Sequence, residues 1–239
     1  MLINSAVGKL PQNKIFLVVP AYNEEKTVAL VLEDLCQRSF NVVLVDDGSR
    51  DGTYDIVKDM QNKYPNHIFI YRHVINRGLG AALKTGIAAA LKNGAEYIVT
   101  FDADGQHDPH DIETVCEPLI NKDADVVIGS RNFSDMPLSR NWGNYLMNTL
   151  TMIFYGIYVN DSQSGLRAFN ANSARLLKLN YHGYGVSSEI ISEIKKNNLN
   201  LKEVPIKTIY TSYTLEKGTN TSVGLKILFK MIIDIFKKF

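Results

Sequence analysis

Between residues 97 and 112 the chain reads YIVTFDADGQHDPHDI. An apolar run, 97–101, stops at two carboxylates one residue apart, Asp102 and Asp104. Gly105 and Gln106 follow, and Asp108-Pro109 has the form of a helix start, with Asp108 suited to an N-cap. Carboxylates at the carboxyl end of a strand suit a divalent cation that keeps open positions for phosphate oxygens. Unpaired, they would repel each other and any phosphorylated ligand. Asp-rich turns after strands are also common, so the motif alone leaves a metal site and a plain turn both open.

Other stretches carry chemistry of the same kind. In VVPAYNEE, 18–25, a strand passes to a helix through Pro20, Ala21 and Tyr22, and a flat aromatic with Glu24 could hold a nucleobase and ribose. An ordinary strand–helix loop capped by Asn23 is the equal alternative. VDDGSRDGT, 45–53, sets Asp46 and Asp47 at another strand end. A carboxylate there can accept two hydrogen bonds from a ribose diol, which is the role read for Asp47; Gly48 to Gly52 read as turn residues. NRGLGAALKTG, 76–86, lacks the third glycine of a dinucleotide loop and follows the third strand, so a dehydrogenase is a poor reading; Lys84 could face a phosphate. GSR, 129–131, ends a strand with Arg131, placed to neutralise a leaving diphosphate rather than to form a surface ion pair. His107 and His110 lack the spacing of a helical metal pair and read as solvent-facing loop residues. Ser164 has no partners for a nucleophile elbow.

These residues need a scaffold that gathers strand ends. Residues 15–20, 41–47, 68–71, 97–101 and 125–128 read as strands, and 24–37, 51–63, 78–92 and 108–121 as helices. The alternation predicts an α/β fold, a mostly parallel sheet with helices on both faces, whose ligands sit at the strands' carboxyl ends. The uncharged stretch 142–159 reads as helical, 201–210 as a strand, with short helices around Ser173 and Ser188. Residues 222–239 form an amphipathic pattern with Lys226, Lys230 and Lys237 on one face, so the expected organisation is a catalytic domain, 1–221, and an interfacial helix, 222–239. A chain of 239 residues suffices for one sizeable core, and a net charge of +1 argues against a nucleic-acid partner. Cys36 and Cys116 have no metal-ligand spacing and read as buried, reduced thiols. No secretion leader and no run near the roughly 20 apolar residues of a membrane span is apparent.

Taken in order, PAYNEE, VDDGSRDGT, NRGLGAALKTG, DADGQHDP, GSR and DSQSGLRAF resemble the family 2 glycosyltransferases of the GT-A (Rossmann-like) fold. More narrowly they are similar to the polyprenol-phosphate, dolichol-phosphate mannose synthase-like branch. The resemblance implies inverting transfer of a hexose from a UDP- or GDP-linked sugar to a polyprenyl phosphate at the membrane surface, on its cytoplasmic face. Carried over by residue, Pro20, Ala21, Tyr22, Glu24, Asp47 and Asp102 hold the nucleotide. Asp102, Asp104 and Gln106 hold Mg²⁺ or Mn²⁺ and the diphosphate, which Arg131 also contacts. Arg140, Asn144 and Ser164 face the acceptor phosphate, Arg167 completes the segment after Ser164, and Glu189 lines the sugar pocket. Leu215 stands where relatives carry an acceptor-binding arginine, and Lys217 is the substitute. Some relatives carry two C-terminal spans and others recruit a small membrane protein, so such a subunit or a homo-oligomer is an open expectation. UDP-glucose, UDP-N-acetylglucosamine and GDP-mannose all fit as donors, UDP-glucose taken first. A transferase acting on a saccharide hydroxyl, a nucleotidyltransferase and a non-catalytic nucleotide-sugar-binding subunit are the alternatives.

Overall fold

The computed structural model describes residues 11–132, 138–180 and 185–209. The expected alternation is present: β1 (Ile15–Ala21), α1 (Val28–Gln37), β2 (Asn41–Asp46), α2 (Thr53–Lys63), β3 (Ile68–Arg72), α3 (Leu79–Lys92), β4 (Tyr97–Thr100), α4 (Asp111–Ile120) and β5 (Val126–Arg131). After it come α5 (Leu138–Tyr155), β6 (Arg167–Asn170), α6 (Ala171–Leu176), α7 (Val186–Lys196) and β7 (Leu201–Ile206). The amphipathic segment 222–239 and Lys217 lie outside the described residues.

The strands form one sheet in the order β3-β2-β1-β4-β6-β5-β7. Only β6 runs antiparallel, to β4 on one side and β5 on the other. The other pairings are parallel, so β1 to β5 and β7 all end at one edge. The central strands are buried on both faces, as their continuous apolar runs require. Ile15, Leu17, Val19, Val42 and Leu44 enter a core with Val28, Leu32, Val57, Ile112 and Val115 of α1, α2 and α4. Phe16, Val18, Val43 and Val45 enter the opposite core with Ala82, Leu83, Ile87, Ile190 and Ile194 of α3 and α7. Cys36 and Cys116 are buried, and desolvation raises both thiols, Cys36 to about 11. Among the described residues no helix is long and apolar enough to cross a membrane.

Element boundaries moved where side chains are engaged elsewhere. α1 begins four residues later than its apolar pattern predicts, because 23–25 are tied to the loop after β2. Asn23 adopts φ 55°, and its backbone N–H donates to Ser49 Oγ at 3.0 Å. The Glu24 N–H donates to Thr53 Oγ1 at 2.8 Å. α4 begins at Asp111 because Asp108 turns the chain first, accepting the His110 N–H at 2.9 Å. β6, four residues long, was not predicted as a strand.

The small residues of α3 serve close packing against the sheet. A Cβ on Gly86 would overlap Val18 Cγ1 and stand 3.3 Å from Val45 Cγ2. Alanine gains about 0.8–1.0 kcal/mol of helix propensity over glycine. Overpacking against two β-branched core residues costs about 1–3 kcal/mol and should win. Gly86→Ala is therefore expected to lower the thermal unfolding temperature, read by circular dichroism; a higher one would show that the helix can move off the sheet.

Candidate active site

The acid loop is built on β4. The Phe101 N–H extends the parallel ladder by donating to the Val18 carbonyl at 3.0 Å, and then the chain leaves the sheet. Gly105, at φ 78°, turns it back. Gln106 braces Asp104 twice, its backbone N–H 3.0 Å from Oδ1 and its amide Nε2 2.7 Å from Oδ2. The Ile209 N–H donates to the Gln106 carbonyl at 2.9 Å, so the chain after β7 closes the far side of the loop.

His107 corrects the sequence reading. It is 7% exposed rather than solvent-facing, and its Nε2 lies 3.0 Å from Asp102 Oδ2. A bridge to Thr208 turns it inward, and its ring meets the edge of buried Phe101 at 5.3 Å between centroids. That pairing spans about a hundred residues of sequence and has no local signal. His110 is exposed, as expected, and pairs with Asp108.

The QSGLR segment presses on the other side of Asp102. A Cβ on Gly165 would overlap the Asp102 carboxylate, whose Cγ would stand 2.7 Å away. Thr100 Oγ1 fixes this approach by donating to the Gly165 carbonyl at 2.6 Å. Arg167 is buried just beyond, its guanidinium donating to the Ser162 carbonyl at 3.0 Å and Ser187 Oγ at 2.9 Å. Among the described residues its Nε has no hydrogen-bond partner, and burial lowers its pKa to about 10 against the opposing pull of Asp102 and Asp161. Arg131 is held by a fully buried acid that sequence reasoning missed: Asp161 takes its Nε at 2.6 Å and its Nη2 at 2.8 Å. Glu203 in turn accepts the Asp161 backbone N–H at 3.1 Å.

Electrostatics separate the two loop acids. Burial raises Asp102, but the His107 hydrogen bond and the charges of His107, Arg167 and Arg131 outweigh it, leaving the group below its ordinary value. Burial raises Asp104 too, the Asp102 charge raises it further, and Glu24 adds to this against the Gln106 and His107 contributions. Asp104 is thus a carboxylate short of positive charge, beside an ionised one. A divalent cation supplies what this pair lacks. Among the described residues no three His, Cys, Asp or Glu side chains form a ready cage, so donors from a diphosphate would have to complete the shell. Gln106 is engaged as a donor to Asp104 through its amide nitrogen, which positions that acid.

This has a pH consequence. A raised folded pKa means that ionised Asp104 opposes folding near neutrality, and that its protonation on acidification relieves the opposition. A divalent cation held by Asp104 would compete with that proton. Manganese affinity should therefore start to fall at a higher pH than a carboxylate of ordinary value, 3.8, would allow, as read by titration calorimetry across a pH series.

The loops after β1 and β2 form a joined platform beside the acids. Pro20 is partly exposed, Ala21 is buried, Tyr22 is exposed, and Glu24 lies close enough to raise Asp104. Asp47, the acid read as a diol contact, is engaged within the fold. It is 3% exposed, and its oxygens accept the N–H groups of Arg77 at 2.9 Å and Gly78 at 2.7 Å, with His73 Nδ1 at 2.6 Å. It clamps the β3–α3 loop. Ser164 is fully buried, and its hydroxyl has no partner among the described residues. Glu189, in the first turn of α7, accepts the Asn180 N–H at 3.0 Å. Arg140 and Asn144 both fall on α5.

Solved structures share this architecture. Glucosyl-3-phosphoglycerate synthase from Mycobacterium tuberculosis, in complex with Mn²⁺, UDP and phosphoglyceric acid, superimposes with a TM-score of 0.69 at 17% identity over 93% of this chain and 78% of its own. The sheet is thus that of a GT-A fold. An uncharacterized protein of Methanocaldococcus jannaschii is 46% identical over 97% of this chain and 96% of its own length. The UDP-N-acetylglucosamine–dolichyl-phosphate N-acetylglucosaminyltransferase of Methanococcus voltae is 42% identical over 92% of this chain and 95% of its own. The family model described as glycosyl transferase family 2 matches residues 16–182, a span that starts in β1 and takes in the acid loop, Arg131 and the QSGLR segment; the chain belongs to that family and is a glycosyltransferase.

Proposed function

We propose that the chain transfers a sugar from a UDP-linked donor to a polyprenyl phosphate at a membrane surface, with inversion at the anomeric carbon. The observation that carries this is the Asp102–Asp104 pair, with one acid paired to His107 and the other short of positive charge. The 42%-identical relative moves the first donor to test from UDP-glucose to UDP-N-acetylglucosamine.

In this reading Pro20, Ala21, Tyr22 and Glu24 hold the nucleoside, and Asp47 keeps the adjoining loop in shape. Asp102 and Asp104 would hold Mg²⁺ or Mn²⁺, which when bound neutralises charge on the diphosphate. His107 and Gly165 fix the direction of Asp102, and Gln106 fixes that of Asp104. Arg131 and Arg167 stand behind the acids as fixed positive charge, which favours the more negative transition state over the ground state. The acceptor phosphate is already ionised near neutral pH, so cations that position it matter more than a general base. Arg140, Asn144, Ser164 and Lys217 are the proposed acceptor contacts, and Glu189 the proposed sugar-pocket acid. The segment 222–239 is proposed as an interfacial anchor to the cytoplasmic face, with a small membrane subunit or a second copy as further partners.

A panel of UDP-N-acetylglucosamine, UDP-glucose and GDP-mannose, each with polyprenyl phosphate and Mn²⁺, tests this by the mass of the lipid product. A sugar phosphopolyprenol from a UDP donor is the expected result. Transfer to a saccharide hydroxyl with no lipid product would overturn it.

A further inference from the structure

The β3–α3 connection, 73–78, holds two bare aliphatic side chains at the sheet edge that carries the acids. Val74 is 99% exposed and Ile75 69%. Scattered single apolar residues on a surface are ordinary; here two adjacent ones are bare together. The turn itself does not need them, since Asn76 and Gly78 already supply residues suited to it.

The backbone beneath them is clamped. The His73 N–H donates to the Asp46 carbonyl at 2.9 Å, and its ring lies 2.6 Å from Asp47 Oδ1 and 2.9 Å from Thr85 Oγ1. Asp47 also binds the N–H groups of Arg77 and Gly78. Gly48, at φ 71°, is pressed so close that a Cβ there would stand 2.7 Å from the Asn76 nitrogen. A loop fixed in this way cannot fold its apolar tip back onto the core.

The connection and the elements it joins carry positive charge. Arg77 and Lys84 are exposed. Arg72 is about half exposed, 3.0 Å from Asp46 and stacked 4.0 Å over Tyr54. An aliphatic point among cations matches an anionic bilayer, where the point enters the acyl boundary and the cations meet headgroup phosphates. The position agrees as well. β3 lies three strands from β4, about 14 Å at ordinary strand spacing. On the other side of the acids α5 exposes Tyr145, Met152 and Ile153, and its Asn148 accepts the Ser162 N–H at 3.0 Å beside Asp161.

We propose that the β3–α3 loop is a membrane-insertion tip, with Val74 and Ile75 entering an anionic lipid surface and Arg77 resting on its headgroups. This rests on the reading that the acceptor is a lipid phosphate. Flotation of the full chain on vesicles of phosphatidylglycerol and phosphatidylcholine tests it. V74D/I75D should weaken binding by about tenfold or more, the scale of losing two buried aliphatic side chains. Transfer to a water-soluble short-chain polyprenyl phosphate should be unchanged in that variant, which also shows that it folds. In V74W, tryptophan emission should move to the blue on vesicles, relative to the parent. Equal flotation of V74D/I75D, or a V74W emission that vesicles leave unmoved, would overturn the proposal and point to a protein partner for the tip. Tip-dependent flotation without transfer to any lipid phosphate would uphold the tip and sink the acceptor reading.

Discussion

Asp104→Asn should lower kcat by about 100-fold or more at saturating Mn²⁺, the scale of removing one charge-stabilising group. The same substitution should leave thermal stability equal to or above that of the parent. The reason is the direction of the Asp104 shift: burial and the Asp102 charge hold its pKa up, so the ionised form is a net strain on the folded state. An amide of the same shape removes that strain and keeps an oxygen for the Gln106 backbone N–H, while a flip of the Gln106 side-chain amide turns its own oxygen to the new NH₂. A structural role would make activity and stability fall together. The expected outcome is that they part, and kinetics beside a melting curve reads both.

Gly165→Ala should also cost activity on the order of 100-fold, although the residue offers no functional group. Its added methyl has no room beside Asp102, and the backbone cannot yield easily because Thr100 Oγ1 holds the Gly165 carbonyl. The flexible partner is the Asp102 carboxylate, and the oxygen that the methyl would meet, Oδ2, is the one paired with His107, so that pairing must be disturbed. A displacement of about 1 Å at a reacting centre can cost about 100-fold. Gly143→Ala is the matched control, since a Cβ there meets nothing within 4 Å. Similar activity for the two variants would show that the placement of Asp102 is unimportant.

Much of this fold was legible in the sequence because it rests on local signals. The apolar runs of β1 and β2 and the small-residue spacing of α3 each announce an element from its own residues. The order in which strands end in acids likewise pointed to the sheet edge that carries the site. What was missed is non-local. His107 turns inward because of Thr208. The pairing of Arg131 with Asp161, thirty residues on, had no local signal either. Asp47 was read as a ribose ligand because acids at strand ends often are, and its hydrogen bonds to the loop after the next strand had no local signal. Gly165 sits inside a motif that was noticed, yet its reason, a carboxylate from β4 filling the space of a side chain, exists only once β6 pairs with β4.

The claim beneath the mechanism is that Asp102 and Asp104 join a divalent cation to a nucleoside diphosphate. Titration calorimetry of UDP into the full chain, with Mn²⁺ and then with chelator, tests it most directly. UDP should bind about tenfold or more tightly with Mn²⁺, and Asp104→Asn should abolish the difference. Equal affinity in chelator, or an undiminished manganese effect in the variant, would contradict the account.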